Sequence, residues 1–226
     1  MPAATATITM TTTTEAATLW RLLLWASPAF PVGAFAHSHG LEWAVEQREV
    51  RDAATLCAWV EDALCHGAGR NDAILLAHAH RGDDVNDLAV ATAAGRERQL
   101  ETLAQGEAFL RAIRAWPEAA AATLHLPPER TAYPVAFGCA ARGLPLAPVL
   151  VAYLQAFAQM LVSAAVRLVP LGQSDGLAVL AALEPAVAAV AAEAATAPLD
   201  ELGSACFRLD QAAMRHETQY TRLFRT

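Results

Sequence analysis

The stretch LAPVLVAYLQAFAQMLVSAAV, residues 146–166, runs for twenty-one residues without a charged side chain, about the length a helix needs to cross a bilayer. Its polar residues argue otherwise. Gln155, Gln159, Ser163 and Arg167 recur every four positions, which lines them up on one helix face. Leu150, Leu154, Phe157, Leu161, Ala165 and Leu168 mark the other side. A helix apolar over most of its circumference, with one polar stripe, suits the middle of a water-soluble bundle. The segment predicts a central helix, not a membrane span.

Working outward, helical periodicity dominates and strand-like alternation is missing. Leu19, Leu22, Leu23 and Ala26 predict a first helix, stopped by Ser27-Pro28. A second covers roughly 36–47, with Leu41, Val45 and Trp43 inward. Asp52 is a good N-cap for a third. Asn71 either caps AILLAHAH or lies within a continuation past Gly67 and Gly69. Further helices are expected at 84–94, 96–115, 135–142, from Pro145 to Val169, at about 175–194 with Pro185 kinking or interrupting it, and at 199–222. PLGQSDG, 170–176, is a turn between two of them. No linker or internal repeat divides the chain. The expectation is an all-α, single-domain bundle of about eight to ten helices over residues 15–226, preceded by a flexible tail, 1–14, whose Thr-rich sequence forms helix poorly.

Composition narrows the function classes. Hydrophobic residues are 55% and charged residues 17%, so a large buried core is available. A net charge of −7 without a basic run argues against nucleic-acid binding. All sixteen basic residues are arginines, and without a lysine no Walker-type phosphate loop is possible. Cys57, Cys65, Cys139 and Cys206 form no CxxC and fit a reducing compartment. The N-terminus lacks a basic, apolar signal pattern, so the cytoplasm is the expected location.

Motifs for catalysis are weak. His37 and His39 in FAHSHG sit two apart, a spacing that diverges in both helix and strand, so they read as helix-entry residues with Ser38 as a cap and Gly40 permitting close approach. His78 and His80 repeat the pattern. HETQY at 216–220 puts Tyr220 where HExxH needs its second ligand. GxSxG is absent. The last twenty residues, FRLDQAAMRHETQYTRLFRT, are more telling: four arginines oppose Asp210 and Glu217, and Met214, Tyr220, Leu223 and Phe224 keep large apolar groups up to residue 226. Such groups fray unless something binds them. The choice is between a helix packed on its own core and an arginine-edged hot spot for another subunit.

Three blocks, SPAFPVGAFAHSHGLEWAVE at 27–46, LVSAAVRLVPLGQSDG at 161–176 and MRHETQYTRLFRT at 214–226, resemble the urease accessory protein UreF family, in the family's order. With the helical layout, the resemblance spans about residues 18–226. It implies an all-helical, non-enzymatic scaffold without a resident cofactor, nickel passing only as transient cargo. Such a scaffold joins the accessory protein UreD/UreH, recruits the nickel-carrying GTPase UreG to apo-urease, and usually pairs as a homodimer. By position it assigns the UreD/UreH contact to Met214, Arg215, His216, Glu217, Tyr220, Arg222, Leu223 and Phe224, with Phe35, His37, Ser38, His39 and Gly40 near the interface. Phe35 stands where relatives often carry Tyr. Two alternatives accompany it: a nickel-binding metallochaperone using His37, His39 or His78/His80, and a GTPase-activating regulator whose finger is Arg167 or a tail arginine.

Overall fold

A computed structural model describes residues 15–226, and among them no strand forms. The expected flexible tail, 1–14, lies outside the described residues. Helices α1 (15–25), α2 (Leu41–Glu46), α3 (Ala53–His66), α4 (Ala68–Arg81), α5 (Asn86–Ala91) and α6 (Arg96–Ala112) come first. They are followed by α7 (Pro117–Ala122), α8 (Tyr133–Ala140), α9 (Leu146–Leu168), α10 (Gln173–Ala194) and α11 (Phe207–His216). Short 3-10 turns bridge several of them. The all-α bundle expected from the periodicity is the architecture found.

Helix α9 is the central element, packing against α2, α3, α4 and α10. Leu150, Leu154, Leu161 and Ala165 are fully buried, while Gln155, Ser163 and Arg167 of the polar stripe face outward. At one end, Trp25 meets Phe109, Trp116 and Phe137 edge-on with ring centroids 5.6–6.0 Å apart. Phe109 stacks on Phe137 at 5.0 Å. Interlocked aromatics of this kind add orientation-dependent attraction to a large area removed from water.

Local chemistry explains most boundaries. The Asp52 carboxylate accepts from the Thr55 amide at 2.8 Å, capping α3 as expected. Gly67 ends α3 and starts α4, so α4 begins before Asn71, whose side chain instead accepts from the Gly203 amide at 3.1 Å. Asp175 accepts from the Gly172 amide at 2.9 Å, turning PLGQSDG into α10. Gly106 lets α6 run against the 127–131 connector: a Cβ there would stand 2.0 Å from the Thr131 carbonyl oxygen.

Three expectations need correcting. Pro185 does not interrupt α10, which continues through it to Ala194. Pro185 and Ala181 are both exposed, so the carbonyl deprived of its helical donor lies on the face turned to water. The second helix is only Leu41–Glu46, because His39 and Gly40 take left-handed φ of 57° and 76°. The last helix stops at His216 and the chain turns back on itself.

Truncating Phe109 removes a fully buried, stacked ring. Phe109→Ala is expected to cost about 3–5 kcal/mol in urea unfolding; a loss under about 1 kcal/mol would show that the aromatic cluster is peripheral to stability.

Candidate functional site

The three sequence blocks meet at one place. Beyond α11 the chain reverses at Glu217–Thr218 and returns across the start of α2 and the side of α6. Glu42, in the first turn of α2, receives it. One carboxylate oxygen accepts from the Leu223 amide at 2.6 Å, and the other from the Phe224 amide at 2.9 Å and His216 Nε2 at 3.1 Å. On α6, Glu97 faces His216 Nδ1 at 2.6 Å and accepts from Arg222 at 2.8 Å. Both nitrogens of a fully buried imidazole thus point at carboxylates, an arrangement that needs a proton on each N–O axis.

The N-terminal block closes the same seam. The Ser38 amide and hydroxyl both donate to the Thr226 carbonyl, at 2.6 and 2.9 Å. His37 Nδ1 lies 2.7 Å from the Thr226 hydroxyl, and the Arg225 amide donates to the Ala36 carbonyl at 2.8 Å. Ser38 therefore ties down the returning chain; the N-cap of α2 is Gly40, with no side-chain cap. Gly40 is required there, since a Cβ would stand 2.4 Å from the Ala213 nitrogen on α11. Arg167, from the third block, donates to the Phe35 carbonyl at 2.8 Å and lies over the Phe224 ring at 4.3 Å.

The tail residues divide between inside and outside. Phe224 is 3% exposed and His216 fully buried, so these two, expected to face a partner, are fastened within the molecule. His37, Ser38 and His39 are buried as well. The final segment does have a home against its own chain, because Glu42, Glu97 and Ser38 supply acceptors and donors that the sequence pattern left out. Tyr220 is fully exposed, Leu223 is 65% exposed and Phe35 73%. Met214, Arg215, Glu217, Arg222 and Arg225 are also exposed. Trp43, Glu46, Arg215 and Tyr220 wall an open groove of about 400 Å³ between α2 and α11.

Beneath the seam lies a chamber of about 80 Å³, bounded by Trp25, Phe157 and Phe35 at its apolar side and by Asp72, Arg98, Glu101 and Tyr133 at its polar side. Arg98 is 2.7 Å from Glu101. Burial alone would raise the Glu101 carboxyl, but Arg98 and then His39 hold it below the usual carboxylate range. His39 is pushed toward its neutral form by burial and by Arg98. Its Nδ1 is 3.5 Å from Glu101 and lacks a hydrogen bond. Asp72 accepts from the Tyr153 hydroxyl at 2.9 Å, yet burial raises its pKa to about 6.

Other sequence candidates are engaged elsewhere. His78 bonds Asp83 and the Ala197 carbonyl, and His80 the Leu144 carbonyl. Among the described residues, no three His, Cys, Asp or Glu side chains converge as a metal site. Sequence reasoning missed Glu42, Glu97, Arg98 and Glu101. The last three stand in RERQLETL, which has the appearance of a solvated helix face, and only the contacts across the fold reveal that it is internal.

A family model described as UreF matches residues 50–184. A urease accessory protein UreF from Cereibacter sphaeroides (strain ATCC 17029 / ATH 2.4.9) is 57% identical over 215 residues, covering 93% of this chain and 99% of that protein. Proteins of the same name from Methylobacterium sp. (strain 4-46) and Rhodopseudomonas palustris (strain BisA53) are 55% and 54% identical. The first alignment covers 91% of this chain and 87% of the relative, the second 93% and 94%.

The chamber generates a pH prediction. Asp72 binds its proton more tightly folded, at about 6, than at the ordinary value of 3.8. Between those values the native chain keeps a proton that the unfolded chain has released, so this group lowers stability as pH rises through the window. Asp72→Asn, which retains an acceptor for Tyr153, is expected to be more stable near pH 7 by about 1–3 kcal/mol, with the difference vanishing below about pH 4. Parallel urea-unfolding curves at all pH values would contradict this.

Proposed function

The chain belongs to the UreF family of urease accessory proteins, and from that footing we propose that it works as a scaffold rather than as an enzyme. In this reading it joins UreD/UreH in the cytoplasm, pairs as a homodimer, and brings the nickel-carrying GTPase UreG to apo-urease. The observation that carries the partner contact is the outward half of the folded-back segment. Tyr220 and Leu223 stand out with Phe35, which the Ala36–Arg225 backbone bond holds beside the segment. Arg215, Arg222 and Arg225 border them. Exposed aromatic and aliphatic anchors edged by arginines have the composition of an interface hot spot.

The side chains available to the two alternatives give them less support. His37 and His39 are buried, the first against Thr226 and the second edge-on to Phe157 at 5.3 Å, so neither presents a free nitrogen to a metal from solution. Arg167 is occupied by the Phe35 carbonyl and the Phe224 ring. An arginine finger must reach away from its own protein, which leaves that alternative to the exposed tail arginines Arg215 and Arg225.

The test is co-purification with UreD/UreH. Replacing Tyr220 and Leu223 together by Ala is expected to weaken capture by roughly 30-fold or more, as loss of a hot spot does, without lowering the melting temperature. Undiminished capture by the double variant would refute the contact.

A further inference from the structure

We propose that the chamber lined by Asp72 and Trp25 is a binding site for a small organic cation, an alkylammonium or guanidinium group. The inference does not depend on the scaffold reading above.

Charge decides what can enter. Arg98 is spent on Glu101 at 2.7 Å, which leaves Asp72 with one neutral donor, the Tyr153 hydroxyl at 2.9 Å. Two carboxylates thus share one guanidinium, and the chamber carries one negative charge in excess once both are ionised. The raised pKa of Asp72, about 6, is the mark of a buried carboxylate short of positive charge. His39, beside Glu101, does not supply it, because burial and Arg98 favour its neutral ring.

Aromatic faces surround that charge. Trp25 and Phe157 form the apolar side, and Tyr133 and Tyr153, with ring centroids 5.3 Å apart, stand at the polar side. Ring faces carry negative potential and attract a cation that has left water. Other ligand classes fit less well. An anion would meet the excess carboxylate, an apolar molecule would bury it unpaired, and a neutral polar one would leave its charge unbalanced. A volume of about 80 Å³ holds on the order of six waters, enough for an ammonium or guanidinium head on a short alkyl stem. Entry is from the side of α1 and α9, where the lining residues Pro28, Phe35 and Ser163 are exposed.

The same residues set the pH response. Asp72 is faced by Arg98 and Glu101 of α6, Tyr133 of α8 and Tyr153 of α9, with Asp210 of α11 across a smaller cavity. Glu101 is held below the usual carboxylate range, and burial pushes both tyrosines above theirs. Asp72 is therefore the chamber group that changes charge near pH 6, and cation binding strengthens as pH rises through that value.

Calorimetric titration of the full chain with n-butylammonium and n-propylguanidinium tests this. Saturable one-to-one binding is expected at pH 7.5, and binding about tenfold weaker at pH 5, where roughly a tenth of Asp72 is ionised. Asp72→Asn, which keeps an acceptor for Tyr153, should weaken binding about tenfold at pH 7.5 and abolish its pH dependence. The pH comparison on the unaltered chain carries the test if that variant does not fold. The N-acetyl methylamides of lysine and arginine distinguish the source. Binding as tight as that of the free amines means that the chamber takes a side chain of another protein, whereas binding of the free amines alone restricts it to small molecules. Absence of saturable binding, equal binding of the neutral analogue 1-pentanol, or binding indifferent to both pH and Asp72→Asn overturns the proposal.

Discussion

A buried carboxylate is tolerable only when donors surround it, and this fold sets three of them, Glu42, Glu97 and Glu101, along one seam. Each is met by the same C-terminal stretch: Glu42 by the Leu223 and Phe224 amides, Glu97 by His216 and Arg222, and Glu101 by Thr226, with Arg98 beside it. The donors come from residues more than a hundred positions away in most cases. Apolar packing would accept many arrangements of a short terminal segment. Paired charges accept few, since a misplaced register leaves an ion uncompensated. The seam therefore selects one path for the last ten residues, and α2, α6 and α11 must be in place to complete it.

That dependence separates two kinds of work in the molecule. The aromatic cluster around Trp25 and the apolar faces of α9 supply the bulk of the burial. The polar seam adds little area but decides what the surface displays. Burial raises Glu97 toward its neutral form, and the His216 contact opposes it. The balance depends on neighbours packed within a few ångströms, so the displayed face is coupled to the core beneath it.

The fold was largely legible in the sequence because helical period and stop signals are local. The four-residue recurrence of Gln155, Gln159, Ser163 and Arg167, the Asp52 cap and the Gly172–Asp175 turn each require only a few neighbouring residues to interpret. The site was legible in part. The three blocks were identifiable, and the exposed Tyr220 and Leu223 follow from the expectation of an apolar, arginine-edged tail. That Phe224 and His216 turn inward was not, since it depends on Glu42 and Glu97, whose local sequence resembles any charged helix surface. Left-handed φ at His39 was equally hidden: glycine at 40 announces a turn, but nothing local says that the turn begins one residue earlier. Pro185 shows the opposite error, a strong local signal overruled because the helix presents that side to solvent.

The in-and-out alternation from Leu223 to Thr226 makes the segment sensitive to parity. Adding one residue within the limb itself, between Phe224 and Thr226, would exchange the sides beyond it: Arg225 would turn inward, and Thr226 would turn to water, away from His37 and Ser38. Residues added to the reversal between Glu217 and Arg222 only alter its size. The tightly constrained length is therefore that of the last four residues, not that of the turn before them.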